Sequence, residues 1–138
     1  MSYVNIWVHA TWSTKRRHPF LTDPLRGAVI NHISENAKAR GIKIWAINGW
    51  VDHLHCLIYL SPDQCIADVV QYLKGESSFW INAHHLIGQR FSWGGEYYAA
   101  SVDKSGLPGL KHYIRNQERH HSKGTDSDES EKFDRDDR

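Results

Sequence analysis

Cysteine and methionine are scarce in this chain, and a long apolar run is missing altogether. Its 138 residues include two cysteines and one methionine. Cys56 and Cys65 lie nine apart, one of them in a predicted strand, so no disulfide framework is expected and a reducing compartment is the simplest setting. No stretch approaches the roughly 18 apolar residues that a membrane span requires. The start, Met1-Ser2-Tyr3-Val4-Asn5, is not a basic region leading into an apolar one, so no signal peptide is expected and a cytoplasmic location follows. A large excess of one charge is also missing, since the net charge is only +1. That figure hides an asymmetry. From Lys123 onward seven Asp/Glu face four Lys/Arg, so the last stretch carries −3 and residues 1–122 carry +4 together with all ten histidines. A mildly basic, His- and Trp-rich body fits a nucleic-acid partner, although a charge of +4 is common among soluble proteins.

A chain of this length is expected to form one domain, and 40% hydrophobic residues supply a core for it. We place that domain at residues 1–122, followed by an acidic, low-complexity tail, 123–138, that composition marks as disordered. Residues 3–12 alternate as a strand: Val4, Ile6, Val8 and Ala10 point one way, and Tyr3, Trp7, His9 and Thr11 the other. Thr22-Asp23-Pro24 reads as a helix start, with Leu25, Val29, Ile33 and Ala37 recurring every four residues until Gly41. A second strand spans 42–50, with Ile42, Ile44 and Ala46 on one face. Asn48-Gly49 and Val51-Asp52 are both candidate turns. The third strand, 53–60, alternates most cleanly: Leu54, Cys56, Ile58 and Leu60 face the core, and His53, His55, Leu57 and Tyr59 face away. A second helix is predicted at about 63–82 with Ile66, Val69, Val70, Leu73 and Phe79 inward, then a fourth strand at 96–102 and a third helix at 109–121. The order β-α-β-β-α-β predicts an α+β, ferredoxin-like split-βαβ antiparallel sheet with one extra C-terminal helix. Both first helices would cover one sheet face, leaving His53 and His55 on the open face with Trp7, His9 and Thr11.

Two histidines two apart on a strand project from one face, about 7 Å apart along it, which suits a single metal ion. Tyr113 and Gln117, four apart, share a face if they lie on one helix. Together these residues offer two imidazoles, a third donor and a phenol nucleophile: the components of metal-assisted phosphoryl transfer through a covalent tyrosine. Each has a plainer reading. Histidines are common on exposed strand faces, a tyrosine ring can simply pack on the sheet, and a helical glutamine is usually solvated. Lys15, Arg16 and Arg17 form a basic cluster that reads equally as a phosphate contact or a solvated turn. Lys74 and Arg115 are weaker candidates of the same kind. Trp50 and Trp93 could stack on unpaired bases, or serve packing as most of the six tryptophans should.

Four segments carry a resemblance: His9-Ala10-Thr11-Trp12-Ser13-Thr14-Lys15, Val51-Asp52-His53-Leu54-His55, Tyr72-Leu73-Lys74-Gly75-Glu76-Ser77-Ser78 and Tyr113-Ile114-Arg115-Asn116-Gln117-Glu118. By these the chain resembles the single-tyrosine HUH transposases of small bacterial and archaeal insertion sequences, over most of residues 1–121. The resemblance implies that His53, His55 and Gln117 bind a divalent metal, Mg²⁺ or Mn²⁺, and that Tyr113 is the nucleophile. It also implies a homodimer acting on single-stranded DNA at hairpin-bearing element ends through a 5′-phosphotyrosine intermediate. Three neutral ligands would leave the ion's +2 charge for an anionic phosphate oxygen, and Mn²⁺ accepts imidazole more readily than Mg²⁺ does. A phenol of pKa about 10 needs help to ionise; His112, His120 and water are open as the base. Family members often continue with a further helical segment where this chain has its acidic tail. The alternatives are a domesticated single-strand-binding protein and a metal-dependent phosphodiesterase on the same fold.

Overall fold

In the computed structural model, residues 2–122 are described, with the side chains of 120–122 excepted. The acidic tail and the His120 side chain therefore lie outside the described residues. The elements run β1 (Ile6–Ser13), a single 3-10 turn (Lys15–Arg17), α1 (Leu25–Ala39), β2 (Lys43–Gly49), β3 (His53–Leu60), α2 (Ile66–Ala83), β4 (Tyr98–Ser101), a second 3-10 turn (Lys104–Gly106), α3 (Leu107–Arg115) and α4 (Gln117–Ser122). The sheet order is β2-β3-β1-β4 with every neighbour antiparallel, which is the α+β split-βαβ arrangement. No helix among the described residues is long and apolar enough to cross a membrane.

The sheet separates two hydrophobic clusters. One face packs Ala10, Trp12, Leu54, Cys56 and Ile58 against Val29, Ile33 and Ala37 of α1 and Val70, Leu73 and Ile81 of α2. The opposite face is not open. Trp7, Leu57 and Ala46 pack there against Ile114 of α3, with Leu107, Leu110 and Tyr113 alongside. An apolar row on α3 thus closes over the face that strand alternation assigns to the histidines.

Several expectations fail for identifiable physical reasons. Ala46 does not share a face with Ile42 and Ile44. A bulge between Ile44 and Ala46 leaves Trp45 as an extra residue, so Ile47 continues the α1–α2 face and Ala46 turns to the α3 face. Phe79 is 71% exposed while Ser77 and Ile81 are buried. Phe79 lies six residues from Leu73, about 120° round the helix from the inward line. Thr22-Asp23-Pro24 does not cap α1: Pro24 precedes the first turn and no side chain caps it. The Asp23 carboxylate instead accepts from Arg26 at 3.2 Å. The predicted 109–121 helix breaks at Asn116, so Tyr113 lies in the last turn of α3 and Gln117 begins α4. The Asn116 side chain donates back to the His112 carbonyl at 2.8 Å, competing with the helix ladder. The Arg115 carbonyl accepts from the Asn48 amide of β2 at 3.0 Å.

The β2–β3 hairpin turns at Val51-Asp52, because Gly49 pairs Leu54 and the Trp50 N–H donates to the His53 carbonyl at 2.9 Å. Gly49 serves a close approach here. A Cβ on it would lie 2.0 Å from the His53 carbonyl oxygen and 2.8 Å from the Leu54 Cα, both backbone atoms that cannot swing aside. Gly49→Ala is expected to destabilise the fold by about 2–4 kcal/mol, at or above the usual cost of overpacking. Urea unfolding checks this: an unchanged midpoint would mean that the hairpin can open without loss.

Candidate functional site

β1 and β3 are central neighbours, and their register sets Thr11 opposite His55 and Ser13 opposite His53. His53 and His55 leave one side of β3 and enter the layer beneath α3, where they are 1% and 0% exposed. Their rings meet edge-on with centroids 5.1 Å apart. Tyr113 meets the His55 ring edge-on at 5.6 Å within the same chain. Past the break at Asn116, Gln117 is fully buried, and its Oε1 lies 3.4 Å from His53 Nε2. The four residues singled out by H-x-H and Y-x-x-x-Q therefore meet, although not by way of one continuous helix.

The segment bearing Tyr113 and Gln117 is fastened at three points. Ile114 is buried against Leu57 and Trp7. Asn48 holds the Arg115 carbonyl. Arg26 of α1, whose side chain is 3% exposed, donates to the Leu21 carbonyl at 2.7 Å and to Glu118 Oε2 at 2.9 Å, while its guanidinium lies 4.9 Å over the Trp50 ring.

Each histidine has its own support. Asp52 Oδ1 accepts from His53 Nδ1 at 2.8 Å. The Asp52 carboxyl takes Arg17 as a second partner at 3.2 Å. Burial pushes the Asp52 carboxyl upward, but the hydrogen bond and charge of His53 and the guanidinium of Arg17 outweigh it and hold it below the ordinary carboxylate range. His55 Nδ1 lies 2.9 Å from His9 Nε2 and 3.1 Å from Thr11 Oγ1, with the His9 and His55 rings stacked at 5.1 Å. Strand alternation puts His9 and Thr11 on this face but gives them no task. The signals for one are present in the chain: a diagonal cross-strand neighbour for His9, and an aspartate directly before the first histidine for Asp52.

His53, His55 and Gln117 fit a divalent ion by their donor set: two buried imidazoles and a buried amide whose Oε1, the atom able to bind a cation, is the one turned toward His53 Nε2. The 3.4 Å between His53 Nε2 and Gln117 Oε1 is long for a hydrogen bond, whereas two adjacent donors each about 2.1 Å from one ion stand roughly 3 Å apart. Among the described residues no three His, Cys, Asp or Glu side chains are grouped for a metal ion, so a third donor beside the two histidines would have to be of another type, such as the Gln117 amide oxygen.

The basic candidates are scattered. Lys15 and Arg16 are exposed on the first 3-10 turn, and Arg17 turns inward to Asp52. Arg16 and Arg17 both have φ of +56°, a left-handed conformation that costs a residue with a side chain about 1–2 kcal/mol. Lys74 donates to the Gly94 and Glu96 carbonyls at 2.8 and 3.3 Å. Burial pulls its amine pKa down, against the charge of Glu96. Arg115 is exposed. Trp93 is buried, donates to Ser77 Oγ at 2.9 Å and packs edge-on against Trp12 and Phe91, so it belongs to the core. Trp50 lies beneath Arg26. His112 is exposed on α3.

The chain as a whole is similar to known proteins. The chain is 25% identical over 114 residues to the ISDra2 transposase TnpA of Deinococcus radiodurans, covering 79% of this chain and 81% of the relative. A crystal structure of a Deinococcus radiodurans protein described as a transposase superposes with a TM-score of 0.68 at 27% identity, covering 85% of this chain and 95% of that one. A REP-associated tyrosine transposase bound to a REP hairpin superposes with a TM-score of 0.64 at 16% identity, covering 91% and 73%, a likeness of fold. Residues 2–117 match the family described as IS200-like transposases, and the chain belongs to that family.

Proposed function

We propose that this protein cuts and rejoins single-stranded DNA at hairpin-bearing ends, with Tyr113 as nucleophile and His53, His55 and Gln117 as ligands of a divalent cation, Mn²⁺ or Mg²⁺. Family membership carries DNA strand transfer in general. The finer chemistry rests on one observation: Tyr113 stands against His55 while Gln117 Oε1 stands 3.4 Å from His53 Nε2, all in one layer between α3 and the sheet. A divalent ion held by those three donors would supply positive charge to a phosphate oxygen of the scissile link.

The chain's own residues supply the rest. The Tyr113 Oη forms a bond to phosphorus as the bond from phosphorus to the 3′-oxygen breaks. The phenol gives up its proton, and the departing 3′-oxygen takes one up to become a 3′-OH. The 5′-phosphotyrosine retains the phosphodiester bond's energy, so a second 3′-OH can displace the tyrosine and join new ends without ATP. Lys15, Arg16 and Arg115 are exposed and would hold phosphates from the surface, which sets affinity rather than sequence choice. Lys74 has two of its three donors on backbone carbonyls and contributes there by bracing the 94–96 loop. We place the protein in the cytoplasm as a homodimer whose DNA partner is a hairpin, the ligand class held by its structural counterpart.

Incubation with single-stranded DNA from the element ends and Mn²⁺ tests this reading. Wild-type protein should form a covalent protein–DNA adduct, and Tyr113→Phe should form none. Equal adduct from both proteins would remove Tyr113 as nucleophile. Multiple-turnover cleavage without adduct, tolerant of Tyr113→Phe, would indicate a water-using phosphodiesterase instead.

A further inference from the structure

We propose that Asp52 is a positioning residue for the metal site: it holds His53 with its hydrogen on Nδ1 and its Nε2 lone pair turned toward Gln117, and Arg17 holds Asp52 in that pose. This inference rests on the proposed role of His53 as a metal donor. An ionised carboxylate only accepts hydrogen bonds. With Asp52 Oδ1 2.8 Å from His53 Nδ1, the ring hydrogen sits on Nδ1. In the neutral ring Nε2 then keeps its lone pair, and that atom is the one 3.4 Å from Gln117 Oε1. A carboxylate behind a ligating imidazole fixes its tautomer and orientation and makes it a stronger donor.

Asp52 is itself constrained. It occupies the hairpin turn, where its carbonyl accepts from the Thr14 N–H at 2.9 Å. Arg17 Nε lies 3.2 Å from Asp52 Oδ2, and Nη2 lies 3.5 Å from Oδ1. The turn carrying Arg17 keeps two successive left-handed residues, an arrangement that persists only where the surroundings enforce it. Here the turn is tied on both sides, by Thr14 to Asp52 and by the Lys15 N–H to the Ser92 carbonyl at 3.1 Å. Sequence alone leaves Arg17 between a phosphate contact and a solvated turn; its guanidinium is used inward, as the outer member of an Arg17–Asp52–His53 chain. At His55, His9 and Thr11 lie beside Nδ1.

The test is Mn²⁺ binding to the full chain, by calorimetry or by electron paramagnetic resonance, with ¹⁵N NMR of the histidine rings as a second readout. The side-chain amide that Asp52→Asn introduces can donate to Nδ1 and so move the ring hydrogen onto Nε2, where it blocks a metal. Asp52→Asn should weaken Mn²⁺ binding by about 10–100-fold and shift His53 toward the Nε2–H tautomer. Arg17→Gln, a change confined to the loop, should shift both readouts in the same direction by less. A staple that matters only for stability would lower the unfolding midpoint and leave tautomer and affinity alone. That result overturns the inference, as does Mn²⁺ affinity within twofold of wild type in both variants. His53→Ala separates the two levels. If it abolishes Mn²⁺ binding while Asp52→Asn does not weaken it, the positioning role alone is wrong. If His53→Ala binds Mn²⁺ as wild type does, the metal reading falls and this inference falls with it.

Discussion

An equimolar mixture of Tyr113→Phe and His53→Ala proteins should form no more covalent DNA adduct than either variant alone. Tyr113 stands edge-on to His55 of its own chain at 5.6 Å. Three intrachain attachments hold it there: Ile114 in the cluster with Leu57 and Trp7, Asn48 on the Arg115 carbonyl, and Arg26 on Glu118. A site closed within one chain cannot be rescued by mixing, because the Tyr113→Phe chain would lack the proposed nucleophile and the His53→Ala chain a proposed metal donor. If the tyrosine served a partner subunit, half of the randomly mixed dimers would be mixed, and each would regain one intact site. The adduct would then reach roughly a quarter of the wild-type level. Adduct measured on a denaturing gel after subunit exchange separates the two outcomes, and recovery to that level would mean that α3 leaves its own sheet when the dimer forms.

The parts of the site that local pattern controls are legible in the sequence. β3 runs from His53 to Leu60 as predicted, because strict alternation with an apolar row can be satisfied by only one register. The same alternation places both histidines opposite the α1–α2 core. Some of the parts that fail depend on atoms far away in sequence. Four-residue spacing between Tyr113 and Gln117 reads as one helix; Asn116 is the one local sign against it, and that Asn48, 67 residues earlier, takes the Arg115 carbonyl is not written nearby. The bulge at Trp45 is equally silent, since Ile42, Ile44 and Ala46 alternate perfectly on paper. Burial is underestimated for a related reason. Two polar histidines on an outward face suggest solvent, but the apolar stripe of Leu107, Leu110 and Ile114 needs a surface, and the sheet face carrying those histidines is the one that accepts it. Asp52 and His9 are visible as residues, yet their roles follow from cross-strand register rather than from spacing along the chain.

Arg26→Ala should be among the most destabilising single changes outside the apolar core, comparable to Gly49→Ala, and it should also weaken Mn²⁺ binding at the proposed metal site, which Arg26 does not touch. The guanidinium is buried, and removing it leaves the Leu21 carbonyl without the donor at 2.7 Å, exposes one face of Trp50, and frees Glu118. Orphaning a buried carbonyl costs about 1–3 kcal/mol. The ion pairs add little, because Glu118 is about half exposed and Asp23 largely so, and water screens both. Arg26 Nε is buried without a partner, which lowers what the wild-type arrangement is worth. An overall loss of about 2–4 kcal/mol is expected once the missing packing is included, read as a fall in the urea midpoint. Glu118→Gln isolates the positional part. It removes a half-exposed charge, so stability should change by less than about 1 kcal/mol. The link from α1 to the residue beside Gln117 weakens, however, and Gln117 must keep its Oε1 near His53 from the first position of a six-residue α4 just past a helix break. Mn²⁺ affinity should therefore fall severalfold in Glu118→Gln while the urea midpoint hardly moves. If affinity falls only in step with stability across the two variants, Arg26 is a packing residue and Gln117 is held by the α3–β2 contact alone.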